Sequence, residues 1–336
     1  MCGGPIDELP RMNIVEFSKL AGFSTATVSR AFHEPAKLRV ETRDRVLALA
    51  GKHGYYPSAS ARALVKGRHD AIGLVWPLEV EGVGAVFAQR ILAGFARQLV
   101  ANDLDLLLCP VDRCQPGTLA HARRTLQRSR CDAWVLLYPR RDDPLVPDLR
   151  ATRKPVICLM GELLGSPGWK SVTLNQASWV GEALRRVRKG GARRVLFLGC
   201  RDGEPDHQAR LAVFNQLAPD YFKREFLSHP AWPLDAARTG ALLRKEKVDA
   251  VIGVDDNAAL VALSACNLAR IRVPEAMQIV GIDDTPEAAA AVPSLATFRQ
   301  PLDEMTACVV NLALGRRSQS QKFKAVFVPG GSLKDD

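Results

Sequence analysis

Two rhythms of apolar and polar positions follow one another along the chain. From residue 12 to residue 57 the apolar positions recur three and four apart, the spacing of helix faces. Ile14, Phe17 and Leu20 form one such face, and Ala21-Gly22-Phe23 is a tight break. Ser24 stands as N-cap to a second helix with Val28, Ala31 and Phe32 inward, and Pro35 ends it. A third helix is predicted from Glu41 to His53, with Val46, Leu47, Leu49 and Ala50 as its core face and Gly54 as its cap. Before these helices, residues 1–11 hold Gly3, Gly4, Pro5 and Pro10 and predict a disordered extension, which leaves Met1 and Met12 as alternative starts. After them Pro57 breaks the chain, 58–65 reads as a short helix, and Lys66-Gly67-Arg68-His69-Asp70 reads as a polar linker.

Beyond Asp70 the pattern becomes one of short apolar runs: Ala71 to Val75, Leu104 to Cys109, Ala133 to Tyr138, Val156 to Leu159, Val195 to Leu198, Ala250 to Val254 and Ile279 to Ile282. Helical stretches separate most of them, at 85–101, 117–129, 176–189, 206–217, 235–246 and 256–269. Buried strands alternating with helices predict parallel sheets covered on both faces. Roughly 260 residues of this pattern exceed one sheet, so two similar lobes are expected.

Composition sharpens this picture at three points. With 47% hydrophobic and 24% charged residues, the chain can bury a sizeable core. Of the net charge of +10, residues 11–69 carry +7, so a basic module is attached to a near-neutral body, as suits a polyanionic partner. The eight cysteines form no CxxC pair and mostly sit in apolar runs, which suggests free thiols in a reducing compartment. No apolar h-region opens the chain and no run approaches the ~18 residues of a membrane span, so a cytoplasmic protein is expected.

The most specific motif is Asn13-Ile14-Val15-Glu16-Phe17-Ser18-Lys19-Leu20-Ala21-Gly22-Phe23-Ser24-Thr25-Ala26-Thr27-Val28-Ser29-Arg30. Gly22 permits the turn between two steeply crossing helices. The second helix then presents Thr25 and Ala26, with Arg30 one turn on, as a recognition helix presents side chains to the major groove. The helix-start amides, Ser29 and the nearby Arg and Lys can hold phosphates, and Thr27 is counted with the DNA-binding residues. Read alone, the same pattern also suits a plain helical hairpin with a solvated basic face.

The motif continues through Val40-Glu41-Thr42-Arg43-Asp44-Arg45-Val46, Gly54-Tyr55-Tyr56-Pro57-Ser58-Ala59-Ser60-Ala61-Arg62-Ala63-Leu64 and Ile72-Gly73-Leu74-Val75. From about residue 14 to 75, and again at sites up to about 305, the chain resembles the LacI family of bacterial transcription regulators (lactose and purine repressors). The resemblance implies a small all-α helix-turn-helix head plus an α/β two-lobed body, like periplasmic binding proteins, with parallel sheets. It makes residues 58–69 a hinge helix and linker in which Ala61 and Leu64 meet DNA, Leu64 as the wedge in the minor groove. It assigns 70–174 with 300–320 to lobe 1 and 175–299 with 321–330 to lobe 2. Ser18 and His33 depart from the family's usual Ala and Asn.

The resemblance also implies an effector pocket. Arg210 matches its arginine and Asp283 its aspartate; Asp255 stands where Asn or Ser is common, and Leu174 where Asp often stands. An arginine and carboxylates across a cleft can grip ring hydroxyls. Helix capping by Asp255 or Asp256 and a surface ion pair for Arg210 are the competing roles. Phe87 and Trp232 are candidate apolar walls, with core packing the alternative; the loop Glu79 to Val86 is longer than usual, and Val213 replaces a common glycine. The basic run Arg185 to Arg194 reads as a solvated helix end.

Enzyme signatures are missing. There is no GxSxG, HExxH or Walker loop, Gly82-x-Gly84 lacks its third glycine, and the six histidines are dispersed. A sugar-modifying enzyme would have to rely on Asp255, Asp256, Asp283 and Asp284, and an exported sugar-binding protein leaves residues 12–68 unexplained. The expectation is therefore a ligand-responsive repressor of carbohydrate-metabolism genes, without catalytic residues, metal or cofactor. It binds a palindromic operator as a homodimer, and its effector is a sugar or sugar acid.

Overall fold

The computed structural model describes residues 12–57, 67–78, 83–128, 130–163, 168–201, 204–223, 225–230 and 233–334. The chain divides at Asp70/Ala71 into two units.

The first unit holds α1 (Ile14–Ala21), α2 (Thr25–His33) and α3 (Val40–His53), with a 3-10 turn at Pro35–Lys37 before the last. Local chemistry sets most of the ends. Asn13 accepts from the amides of Val15 and Glu16 while Glu16 accepts from the Asn13 amide, a reciprocal capping box. Ser24 Oγ accepts from the Thr27 amide at 3.1 Å. Gly22 and Gly54 close α1 and α3 in the left-handed conformation, at φ 70° and 63°. Phe17, Ala21, Val28, Ala31, Val46, Ala50 and Tyr55 form the core, and the rings of Phe17 and Tyr55 stack with centroids 4.2 Å apart.

Two expected core residues are not in it. Leu20 and Leu47 are 48% and 38% exposed. At about 100° per residue, Leu20 turns away from the stripe Phe17–Ala21, and Leu47 turns a quarter of the helix away from Val46. Ser18 takes the place on α1 that apolar spacing had not marked: it is buried, and its Oγ has no hydrogen-bond partner. Ser18→Ala is therefore expected to stabilise the protein by about 1 kcal/mol, because it removes a desolvated hydroxyl without opening a cavity. Urea denaturation of the first unit's transition checks this, and a loss of stability would mean that the hydroxyl is satisfied.

The second unit contains two parallel sheets. In the first, β1 (Ala71–Pro77), β2 (Asp105–Val111), β3 (Ala133–Leu137), β4 (Val156–Leu159), β5 (Lys170–Leu174) and β11 (Gln321–Phe323) stand in the order β11-β5-β4-β3-β1-β2. In the second, β6 (Val195–Leu198), β7 (Phe226–His229), β8 (Ala250–Gly253) and β9 (Gln278–Val280) stand in the order β7-β6-β8-β9. A third pair, β10 (Thr297–Arg299) and β12 (Val326–Val328), is antiparallel. Each parallel sheet is packed on both faces by apolar clusters, which is why β3, β4, β6 and β8 read as unbroken buried runs.

One boundary moves. Gln321, Lys322 and Phe323 pair in parallel with Val172, Thr173 and Leu174, so 321–323 belongs to lobe 1, not to lobe 2 as expected. The open edge of β5 accepts this short strand, and the chain passes to the second lobe only after it. The helix Leu302–Ala313 buries Met305, Cys308 and Val309 in the lobe 1 core. The cysteines at 109, 114, 131, 158, 200, 266 and 308 are free, and burial pushes Cys109 up to about 11 and Cys131 and Cys158 up to about 12. In the basic run, Arg185 and Arg186 both pair with Glu182, and Arg186 lies over the Phe327 ring at 3.6 Å.

Candidate functional site

The first candidate surface is the outer face of α2. Val28 and Ala31 anchor the helix inward, which leaves Thr25, Ala26 and Arg30 exposed and Thr27 and Ser29 half-buried. The Thr27 hydroxyl lies 2.9 Å from Ser24 Oγ and so serves the cap as well. Ala61 and Leu64 lie outside the described residues.

The second site is in the body, where strands of both sheets end. A parallel strand delivers its next residues to the carboxyl edge of the sheet, so the loops there converge. One cavity of about 50 Å³ is lined by Pro77 at the end of β1, Arg113 past β2, Tyr138 and Arg140 past β3, Arg201 past β6, Asp255 past β8 and Asp283 past β9. Phe87 from the helix Val83–Ala101 and Arg210 from the helix Pro205–Phe222 complete it. Four of the expected ligand residues, Phe87, Arg210, Asp255 and Asp283, thus share one cavity. Leu174 lines a neighbouring chamber instead, and Trp232 lies outside the described residues.

Arg210 is 2% exposed. Its Nη1 donates to Val254 O at 2.6 Å and its Nη2 lies 3.1 Å from Asp206 Oδ2, one helical turn back. Burial opposes its charge, but Asp206, Asp283 and Asp255 outweigh burial and hold its pKa above the ordinary value. Arg210 is thus a buried, charged donor rather than a surface ion pair. Asp255 does cap: its Oδ1 accepts from the Ala258 amide at 2.7 Å, while its Oδ2 faces His207 at 3.9 Å. Asp256 is fully buried and accepts from Thr297 Oγ1 and the Thr285 amide; burial raises it to about 6.

Asp283 accepts from Gln300 Nε2 at 2.6 Å, and burial pushes its carboxyl well above the usual range, Arg210 opposing. Its backbone is strained, with φ 127°, and Asp284 follows at φ 52°. Arg90, from the lobe 1 helix Val83–Ala101, donates through Nη1 to both carbonyls, Asp283 O at 2.7 Å and Asp284 O at 3.0 Å. One lobe thereby holds the loop of the other that carries Asp283.

The sequence reading missed Arg113, Tyr138, Arg140, Arg201, Glu204, Asp206 and His207. A signal existed for four of them: Arg113, Tyr138, Arg140 and Arg201 stand within three residues of a strand's carboxyl end. Arg113 forms a fully buried pair with Asp143 at 2.8 Å. Burial, with Asp206 and Asp283 adding to it, pushes the Tyr138 hydroxyl well above its usual value. Glu204, Asp206 and His207 bring ligand-type atoms within 4.8 Å of one another. His207 Nδ1 accepts from the Arg201 amide at 3.3 Å, so the neutral ring carries its proton on Nε2, which lies 3.3 Å from Glu204 Oε2. That tautomer suits a hydrogen-bonded imidazole better than a metal ligand, whose free nitrogen lone pair would be Nε2.

This architecture, a helix-turn-helix unit followed by a two-lobed binding body, defines a class of ligand-responsive DNA-binding protein. Residues 13–58 match the model of bacterial regulatory proteins, lacI family, and residues 184–333 match that of the periplasmic binding protein-like domain. Residues 13–58 thus carry the lacI family's DNA-binding domain, and the chain as a whole is similar to HTH-type transcriptional regulators. It is 26% identical to the HTH-type transcriptional regulator AscG of Escherichia coli, over 87% of this chain and 88% of that protein. It is also 26% identical to the ribose operon repressor of Bacillus subtilis, over 90% of each. Its fold is similar to that of the lac repressor dimer bound to operator and the anti-inducer ONPF, at a TM-score of 0.80 and 19% identity over 96% of this chain and 98% of that one. Among the described residues, no helix is long and apolar enough to cross a membrane.

Proposed function

We propose that this protein is an effector-responsive, sequence-specific DNA-binding transcription regulator, a cytoplasmic homodimeric repressor of carbohydrate-metabolism genes rather than an enzyme. The observation that carries this reading is the presence, in one chain with a lacI-family DNA-binding domain, of a polar recognition face on α2 and a strand-end cavity holding Arg210, Asp255 and Asp283. The names of its relatives support it: one is a ribose operon repressor, and a structural neighbour is a dimer on operator. In this reading residues 12–57 bind the operator through Thr25, Ala26, Thr27, Ser29 and Arg30, and Ala61 and Leu64 of the segment 58–69 enter the minor groove. A sugar or sugar derivative sits against Phe87, Arg210, Asp255 and Asp283, with Leu174 and Trp232 at its margins. Two exposed short side chains followed by one long donor suit direct readout of a half-site.

The test is selection of a binding sequence with the full-length protein, followed by titration with and without a panel of sugars. Arg30→Ala is expected to weaken operator binding by about 1–3 kcal/mol, and to reduce the salt slope by about one if its contact is to phosphate. Binding that is insensitive to salt, or no selected sequence, overturns the reading.

A further inference from the structure

The site described above continues past Arg210. A second chamber, of about 400 Å³, adjoins the 50 Å³ cavity, and the two share Pro205, Asp206 and Arg210 as their common wall. The second chamber lies between the lobes, with Met160, Thr173 and Leu174 on the lobe 1 side and Ala209 and Val213 on the helix Pro205–Phe222.

Two atoms at this junction are buried without partners. Asp206 Oδ1 accepts nothing and Arg210 Nε donates to nothing, although their residues are only 8% and 2% exposed. The rest of each group is engaged, Asp206 Oδ2 with Arg210 Nη2 and Arg210 Nη1 with Val254 O. Asp206 thus keeps one free acceptor and Arg210 one free donor in the shared wall, the two functions that a hydroxyl satisfies, since it donates with its hydrogen and accepts with its oxygen. Unsatisfied buried polar groups are rare in folded proteins and mark places where a partner belongs.

The charges of the second chamber cancel. Lys322 lies 3.2 Å from Glu162, and Arg210 lies 3.1 Å from Asp206. No excess cation is left for a phosphate or carboxylate tail. Gln176 commits its Oε1 to Trp179 Nε1 at 2.6 Å, which leaves amide hydrogens as the polar contribution of that side chain. Apolar Met160, Leu174 and Val213 beside such donors suit the faces and edges of a second sugar ring.

We propose that the effector is an uncharged glycoside longer than one ring. One ring lies against Asp255 and Asp283, a hydroxyl next to the linkage lies between Asp206 Oδ1 and Arg210 Nε, and the second ring lies in the chamber beside Val213. This rests on the sugar-effector reading and narrows it to a size and charge class.

The experiment is calorimetric titration of the full-length protein with glucose, galactose and mannose, and with disaccharides built from them, including cellobiose, sucrose and melibiose. At least one disaccharide is expected to bind ten times or more tighter than every monosaccharide. Val213→Phe, which fills the second chamber, is expected to erase that advantage and to leave monosaccharide affinity within threefold. Ala209→Leu narrows the same chamber with a smaller side chain, in case Val213→Phe misfolds; retained operator binding without sugar shows that either variant is folded. A monosaccharide that binds within tenfold of the best disaccharide overturns the proposal and leaves the sugar reading standing. So do folded variants that keep the full advantage or that weaken both sizes alike. If no sugar of either size binds, both readings fall.

Discussion

Asp143→Ala is expected to cost about 3–5 kcal/mol of stability, because it strips the partner from a charge that water cannot reach. Arg113 and Asp143 side chains are 2% and 0% exposed, with Nε donating to Asp143 Oδ2 at 2.8 Å. Asp143 Oδ1 also accepts from the Leu145 amide, and Arg113 Nη2 donates to Leu137 O at 3.1 Å, so the pair ties the ends of β2 and β3 to the loop that follows. Removing the carboxylate leaves a guanidinium buried at the edge of the effector cavity. Arg113→Met combined with Asp143→Ala is expected to recover most of the loss, since a buried ion pair is worth little more than a well-packed apolar substitute. Urea denaturation of the single and double variants checks both statements. A single-variant loss below about 1 kcal/mol would show that the loop opens to water and hydrates the charge.

Asp283→Ala is expected to raise the effector concentration needed for a response by 10- to 100-fold, while operator affinity without effector stays within about threefold of wild type. A ligand hydroxyl left unpaired in a closed site costs about 1–3 kcal/mol, which corresponds to that range. The unliganded head keeps its contacts because its core of Phe17, Val28, Val46 and Tyr55 is its own. The switch is lost because an effector shifts a two-state body only by its difference in affinity for the two states. The measurement is operator affinity of the variant against effector concentration, and a wild-type response would make Asp283 structural. Asp283→Asn adds a pH readout. Burial raises the Asp283 pKa, so the carboxyl contributes stability while protonated, and that contribution is lost as pH rises through its folded pKa. The amide does not ionise, so the variant is expected to lose less stability than wild type over that rise.

Much of the head was legible because its signals are local. Ser24 caps α2, Gly54 closes α3 and Val28 and Ala31 face inward, as spacing and residue type had indicated. What spacing could not resolve was the width of the apolar stripe: Leu20 and Leu47 stand at its edge, and only the crossing of the three helices decides which edge is covered. In the body, β4 at Val156–Leu159, β6 at Val195–Leu198 and the helices Gln176–Lys189 and Asp256–Ala269 coincide with their expected ranges, because a doubly covered strand must be apolar throughout. The strands β5, β7, β10, β11 and β12 gave no such run. They are short or lie at edges and mix polar with apolar positions, as in Lys170-Ser171-Val172-Thr173-Leu174.

By itself, then, the sequence determined the three-helix head and the alternation of buried strands and helices, because these depend on periodicity and on caps, and its resemblance to a known family implied four residues of the cavity. Tertiary structure alone decided that 321–323 joins lobe 1, since a strand's partner is set by which sheet edge is open and not by its own residues. It likewise decided that Arg113, Tyr138 and Asp206 stand with Arg210, and that Arg90 clasps the strained Asp283–Asp284 loop from the other lobe, 193 residues away in sequence. Contacts of that span arise from where strand ends converge, and no local pattern in the chain encodes that meeting point.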